Sequence, residues 1–346
     1  MMKKLLFLSG MLCFGVSLQA QNKYLKEAQA TAQKTFAEDT THKQGWKKGA
    51  VYSLGIGQGG SSNWAAGAEK FSFSLAANIS FFANYKWDKV NWRNSLDMGY
   101  AFVNTTSQGV RKTDDKFDFY SKYGYDLTKK ISASFVGNLR TQFAAGYDYD
   151  YLGEGLKRRT SGWFAPAYLI LAPGFDYHPT PSFSLFFSPV SSRSVFVTND
   201  PKSYYYPNGA IPGGEFETPI AVLYGVDPAR KMRAEVGGFA SLNFAKEVFK
   251  NVAYKTRLDL YSNYLKTYNF EVTGPDQLLV TKNGANPEKI DIFWTNLIAM
   301  KVNKFLSVNF SADIIYDDDV RQFGPNGTSA AMQFRSQLTI GLAGSF

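Results

Sequence analysis

The chain is poor in the residues that carry most side-chain chemistry. It has one cysteine, Cys13, and two histidines, His42 and His178, in 346 residues. Cys13 lies within 1–20, which reads as a secretory signal. Lys3 and Lys4 form a charged start, 5–18 is an apolar run too short for a membrane span, and Ala20 is the expected last residue removed. A lipoprotein would carry a small residue before the cysteine, and Leu12 stands there instead. Without 1–20 the chain has no cysteine, which excludes disulfides, thiol chemistry and cysteine–zinc sites. Past the signal there is no apolar run of the ~18 residues a membrane helix needs, and the mean hydropathy is only −0.25. The formal charge of +9 is scattered, with Lys and Arg interleaved among Asp and Glu. No helix carries a basic stripe, so nucleic acid is not expected as a partner. The charge is compatible with an anionic membrane surface. A Gly-rich loop between a strand and a helix is missing as well, so a phosphate cradle has no support.

What the chain does have is aromatic residues, 16% of the total with 21 Tyr and 29 Phe, set out with period two. In the final stretch Met332, Phe334, Leu338, Ile340, Leu342 and Phe346 alternate with Gln333, Arg335, Gln337, Thr339 and Ser345. A strand places such sets on opposite faces. An apolar last strand ending in an aromatic is similar to the signal read by the barrel-insertion machinery of outer membranes. The longest alternation puts Phe71, Phe73, Leu75, Ala77, Ile79, Phe81, Ala83, Tyr85 and Trp87 against Ser72, Ser74, Asn78, Ser80, Asn84 and Lys86, with Phe82 the exception. A helix does not produce such a run.

The expectation is an all-β fold: a transmembrane antiparallel β-barrel of roughly twelve strands, an even number as in single-chain bacterial barrels. Short links are expected near 88–89, 129, 178–181, the 244–252 junction and 303–304. Long polar links are expected at 61–68, 105–115, 150–161, 198–230, 273–287 and 318–329. Strict alternation of short and long links is the rhythm of periplasmic turns and external loops. The expected strands include 162–177 and a long one at 252–272. Residues 21–45 read as a periplasmic N-terminal arm or short amphipathic helix, and 46–346 as the barrel. The location implied is the outer membrane of a Gram-negative bacterium, with outer-membrane lipid and lipopolysaccharide as surroundings and the insertion machinery as a partner through the strand ending at Phe346.

Several phrases carry a resemblance: Ser62-Asn63-Trp64-Ala65-Ala66-Gly67, Arg111-Lys112-Thr113-Asp114-Asp115-Lys116, Arg140-Thr141-Gln142-Phe143, Ala165-Pro166-Ala167-Tyr168, and Ser188-Pro189 within 183–190. Together they resemble a domain-of-unknown-function family of predicted outer-membrane barrels from the Bacteroidota. The resemblance covers most of 46–346 and is densest before 197. It implies the location and carries no activity.

No catalytic constellation stands out, and neither a cofactor nor a metal is expected. A barrel hydrolase needs a serine–histidine pair on the outer wall. Ser182 and Ser184 lie near His178, which reads as a solvated turn histidine. Asp317, Asp318 and Asp319 read either as a calcium-holding run with loop carbonyls or, preferably, as a strand entering water. The informative set faces the expected interior: Lys86, Arg93, Asp97, Lys122, Arg140, Arg233, Glu235, Lys255, Arg257, Asp259, Asp291, Asp313 and Arg335. Facing lipid, a mid-membrane Arg or Lys would cost ~2–4 kcal/mol. Inside, the set either fills the barrel as a salt-bridge network or lines a pore for small polar solutes. A non-conducting envelope scaffold is the alternative. The long link 198–230 carries Tyr204, Tyr205 and Tyr206, then an apolar piece, 219–226, with Leu223 and Tyr224. Apolar residues gain nothing in a solvated loop, so this piece is expected to fold back over the mouth or into the lumen, where these side chains would constrict it.

Overall fold

The computed structural model describes residues 44–62, 69–149, 157–198, 200–202, 204, 206–211, 216–303, 306–321, 323 and 329–345. The expected signal, nearly all of the N-terminal arm, Tyr205 and Phe346 lie outside the described residues.

Twelve antiparallel strands close into one barrel. In chain order they are β1 (Gly45–Gly60), β2 (Phe71–Trp87), β3 (Val90–Thr105), β4 (Gly109–Asp126), β5 (Ile131–Thr141), β8 (Ala167–Thr180), β9 (Phe183–Phe196), β10 (Met232–Phe249), β11 (Val252–Asn263), β14 (Ile290–Lys301), β15 (Leu306–Tyr316) and β16 (Gln333–Ser345). Two small hairpins stand outside the ring, β6 (Gly146–Asp148) with β7 (Arg158–Ser161), and β12 (Lys266–Gly274) with β13 (Gln277–Ala285). The seam pairs β1 with β16, from Val51 opposite Ser345 to Gly55 opposite Gly341. The backbones approach closely there: a Cβ at Gly341 would meet the Leu54 carbonyl oxygen, so only glycine fits.

At the turn end, Asp88 and Asn251 occupy the tight connections with φ of 48° and 67°. Aspartate and asparagine tolerate this left-handed region better than branched residues do. The long links gather at the opposite, loop end. One expected long link is short instead. Residues 109–115 belong to β4, and only 106–108 connect it to β3. The polar run 111–116 hid this, because a bulge at the Ala101/Phe102 pairing breaks its period-two pattern, and the buried Asp115 is taken up by the Phe143 and Ala144 N–H groups.

Three further boundaries differ from the sequence reading. The expected strand 252–272 is two elements: β11 stops at Asn263, and the chain leaves the wall for the β12–β13 hairpin, which occupies most of the expected loop 273–287. The alternation runs on through both and gives no sign of the exit. The strand expected at 162–177 begins at Ala167 and continues to Thr180. His178 is therefore not a solvated turn residue. It lies in β8, 4% exposed, on the inward face with Asp176. Its N–H donates to the Lys130 carbonyl, so the strand holds its pairing up to Pro179.

The wall is apolar outside and polar inside. On β16, Leu338, Ile340 and Leu342 are 61%, 55% and 59% exposed, whereas Thr339 is buried. This wall suits hydrocarbon, and the fold is built as a transmembrane barrel. An Ile340→Arg variant is expected to lose membrane assembly, at a cost of ~2–4 kcal/mol. Gln337→Arg, one face over and lining an internal cavity, is expected to assemble normally. Heat-modifiability on semi-native gels, scored as folded fraction, checks the pair. Equal assembly would mean that the faces are misassigned.

Candidate functional site

The interior is divided unevenly. On the β4–β5–β8–β9–β10–β11 side, Tyr120, Val136, Ile170, Ala172, Phe186, Phe239 and Tyr261 pack as an internal apolar cluster. Two cavities lie beside it, of about 360 Å³ and 200 Å³: the larger, bordered by Ile170, Phe239 and Tyr261 of the cluster and by β14–β16, reaches the loop end, and the smaller lies toward β1–β3 and β14–β16. Lys116, Asp118, Asp313 and Arg335 border both.

Ion pairs span the lumen at this level. Arg257 on β11 donates to Asp118 on β4 at 2.5 Å. Arg140 on β5 reaches Asp259 on β11 as well as Asp118, the latter at 3.4 Å. Arg335 on β16 bonds its neighbour Asp313 and crosses to Asp114 on β4. The partners in each crossing pair sit on strands well apart around the ring. They act as bars, not as a lining. Asp118 is the hub, with Asn138 adding a bond at 2.6 Å. Arg257 also touches Asp259 at 3.2 Å, and the Arg140 guanidinium stacks on Phe293 at 3.8 Å. Such planar, many-donor groups are suited to multiple carboxylate partners.

Nearer the loop end, Arg193 joins Glu235 at 2.6 Å and Asp291 at 2.7 Å, and lies 4.3 Å from the Tyr261 ring. Arg233 bonds Glu235 at 2.9 Å and Asp319 at 2.7 Å. Asp317 and Asp319 are thus drawn inward by arginines. The preferred sequence reading, a strand entering water, is corrected for both. Asp318 alone turns outward, to Lys289 at 2.8 Å. Burial, together with the neighbouring Asp317 and Glu235, holds the Asp319 carboxyl above its ordinary range despite Arg233.

Nearer the turn end, Lys122 pairs with Asp176 at 2.7 Å, and His178 Nδ1 lies 3.5 Å from the same carboxylate. Asp97 lies 3.8 Å from Lys255. Arg93 is half-buried opposite Lys122 in the β3–β4 register, and Lys86 is half-buried near the end of β2. All thirteen candidates for the interior are therefore accounted for. The residues the sequence reading missed are Arg193, Asp114, Asp118 and Asp176. Asp118 and Asp176 have inward parity in strands that were recognised, and that signal could have found them. Among the described residues, no His, Cys, Asp or Glu group is arranged to hold a metal ion.

A roof packs over part of the loop end. A single helical turn, Ile220–Leu223, sits in the link between β9 and β10. Ile220, Ala221, Leu223, Tyr224 and Val226 pack with Ala165, Val195, Val197 and Val320. The Tyr224 hydroxyl donates to the Thr160 carbonyl at 2.7 Å. Tyr206 is not part of this core; its backbone N–H donates to the buried Glu217 at 2.9 Å. The Tyr204 hydroxyl donates to Asp276 at the tip of the β12–β13 hairpin, 3.2 Å away, and Lys202 reaches the same carboxylate at 3.3 Å. Burial first, and then the Asp276 charge, push the Tyr204 phenol up to about 12.

Residues 56–147 match the model of a family described as a protein of unknown function, DUF3078. No curated protein matches the chain. Among solved structures, similar folds include the COG4313 outer membrane channel from Pseudomonas putida F1, at 10% identity over 90% of this chain and 98% of that one, with a TM-score of 0.37. The translocator domain of the autotransporter NalP from Neisseria meningitidis is similar at 8% identity over 94% of each chain, with a TM-score of 0.36. The NanC porin is similar at 12% identity over 84% of this chain and 98% of that one, with a TM-score of 0.30.

Proposed function

We propose that the chain is an outer-membrane channel for small polar solutes, held closed in this state by its roof and by the bars across its lumen. The observation that carries this reading is the pair of interior cavities that share Arg335 on their borders. The smaller cavity is lined largely by charged, amide and hydroxyl side chains, the larger by charged groups together with apolar ones such as Ile170, Phe239 and Phe293, and the two obstructions of the path can both move. The roof is a loop segment held by apolar contacts and a few hydrogen bonds. Arg335 is the least enclosed of the crossing arginines, with 40% of its side chain exposed, against 13% for Arg140 and 3% for Arg257. Acidic and basic groups are mixed along the path, so neutral and zwitterionic solutes suit it better than ions of one sign. A hydrolase reading has less to rest on, because His178 faces Asp176 inside the barrel and not the outer wall.

Planar bilayers test this. The wild type is expected to show rare openings, and Arg335→Ala more frequent ones. Asp114 and Asp313 are left without their cation in that variant, so its permeability should shift toward cations. If both proteins insert and stay silent, even with the roof displaced, the barrel is a scaffold. The crossing ion pairs are the feature that favours this second reading.

The roof should also respond to pH. Asp319 sits among Arg233 and Glu235 on β10, Asp317 at the end of β15, and Arg193 on β9. Its carboxyl is raised in the closed state and returns to its ordinary range when opening exposes it to water. Protons therefore bind the closed state more tightly and favour it. Open probability is expected to fall as pH drops through the raised titration, and Asp319→Asn should flatten that dependence. An open probability that rises on acidification would contradict the assignment.

A further inference from the structure

The outer wall of β1–β4 is tiered near the turn end. One tier, read across the registers, is Trp46, Tyr85, Trp92 and Tyr123. Its rings are in contact, with Trp46 5.2 Å from Tyr85 and 5.6 Å from Trp92. One step toward the loop end, the tier is Lys48, Ala83, Asn94 and Ser121. The next is Ala50, Phe81, Leu96 and Phe119. The middle tier is small and recessed between two bulky ones, and it forms a dent of about 460 Å³ bordered by Lys48, Phe81, Ala83, Leu96 and Phe119.

Two features of the dent go beyond a smooth lipid-facing wall. The polar side chains of the outward tiers bond one another: Trp92 Nε1 donates to Ser121 Oγ at 2.9 Å, Ser121 to Asn94 Oδ1 at 2.8 Å, and Asn94 Nδ2 to the Ala83 carbonyl at 3.0 Å. Hydrocarbon over this tier therefore leaves the Trp92, Ser121 and Asn94 side chains with their partners. The exception is a cation. Lys48 is exposed on this outward face, its ammonium 5.6 Å from the Trp46 ring centre. An ammonium facing hydrocarbon is costly unless it meets an anion at the interface, and an aromatic belt marks that depth.

We propose that this dent is a binding site for one anionic glycerophospholipid, its phosphate on Lys48 beside the Trp46–Trp92 belt and an acyl chain lying over Ala83 between Phe81 and Phe119. The argument for this occupant is charge complementarity next to an apolar recess at headgroup depth. The short turns face the periplasm in this fold type, which is the leaflet where glycerophospholipids lie. The site does not depend on whether the lumen conducts.

The test is native mass spectrometry of the full-length protein in mild detergent, titrated with dioleoyl phosphatidylglycerol or dioleoyl phosphatidylcholine. The wild type should retain phosphatidylglycerol preferentially. Lys48→Gln should weaken that retention about fivefold, the effect of one cation at an anionic lipid. Ala83→Phe, which fills the recess, should weaken retention of both lipids. Lys246→Gln, an exposed lysine on the outward face of β10, should change nothing. Heat-modifiability confirms that each variant is folded. Unchanged retention in folded Lys48→Gln and Ala83→Phe would overturn the site, and equal retention of the two lipids would overturn the headgroup assignment. Lipid-free dimers lost in Ala83→Phe would show a second copy on this face and overturn it too.

Discussion

Replacing Leu223 with aspartate is expected to open the barrel. Leu223 is 1% exposed and belongs to the roof's apolar cluster, together with Val195 and Val197 near the end of β9 and the link residue Val320. Truncating such a side chain costs ~2–5 kcal/mol, and a carboxylate in its place adds a desolvation penalty. The roof is a loop, so this cost can be relieved locally by unseating 219–226 while the strand ladder stays intact. A loss of ~3 kcal/mol from the closed state raises the open-to-closed ratio about a hundredfold. Single-channel recording in planar bilayers should therefore show a large rise in open probability, with Leu223→Ala intermediate. Cys13 is the sole native cysteine, within the expected signal, so a cysteine introduced at Val226 reports the roof directly. It should resist thiol reagents alone and react readily when Leu223 is aspartate. Rapid labelling without conductance would mean that the roof moves but gates nothing.

The roof shows what kind of information the sequence carried. An apolar piece inside a long polar link has to be buried somewhere, and 219–226 was legible for that reason. The wall was legible because period-two alternation ties each residue's parity to its face, and because the short links fall at one end. The crossing pairs were not legible. Parity says that Arg335 and Asp114 both point inward, but their sequence separation gives no sign that they meet. That follows from the order of strands around a closed ring and from the bulge beside Asp114 in the β3–β4 pairing. The β12–β13 hairpin was missed for a related reason: alternation persists when a strand pair leaves the wall, and only the register of β11 with β14 reveals the exit. His178 was misplaced because a proline one residue before the end of a strand looks like a turn when the pairing is unseen.

The largest effect on stability is expected at Asp118. It is 2% exposed and receives Arg257 at 2.5 Å, Arg140 at 3.4 Å and Asn138 at 2.6 Å. Replacing it with alanine strands two guanidiniums in the interior. Breaking a buried pair from one side costs ~3–5 kcal/mol, because the remaining charge loses its partner and cannot recover its water. Some of that cost is recoverable here, since Arg257 and Arg140 both also touch Asp259. The double variant Asp118→Ala with Arg257→Met should accordingly be more stable than Asp118→Ala alone, as it removes the stranded charge along with its partner. Lys255→Met is the mild comparison: it removes a buried charge and keeps an unbranched apolar stem of similar length, so no stranded cation is left in the interior. Urea unfolding in detergent, followed by tryptophan fluorescence, ranks the four proteins. The expected order of stability is wild type, then Lys255→Met, then the double variant, with Asp118→Ala lowest. If Asp118→Ala unfolds at the wild-type midpoint, the bars do not brace the barrel. Their distances would then describe side chains that meet in a wet lumen and part freely, and the case for a pore that is closed only by its roof would be the stronger one.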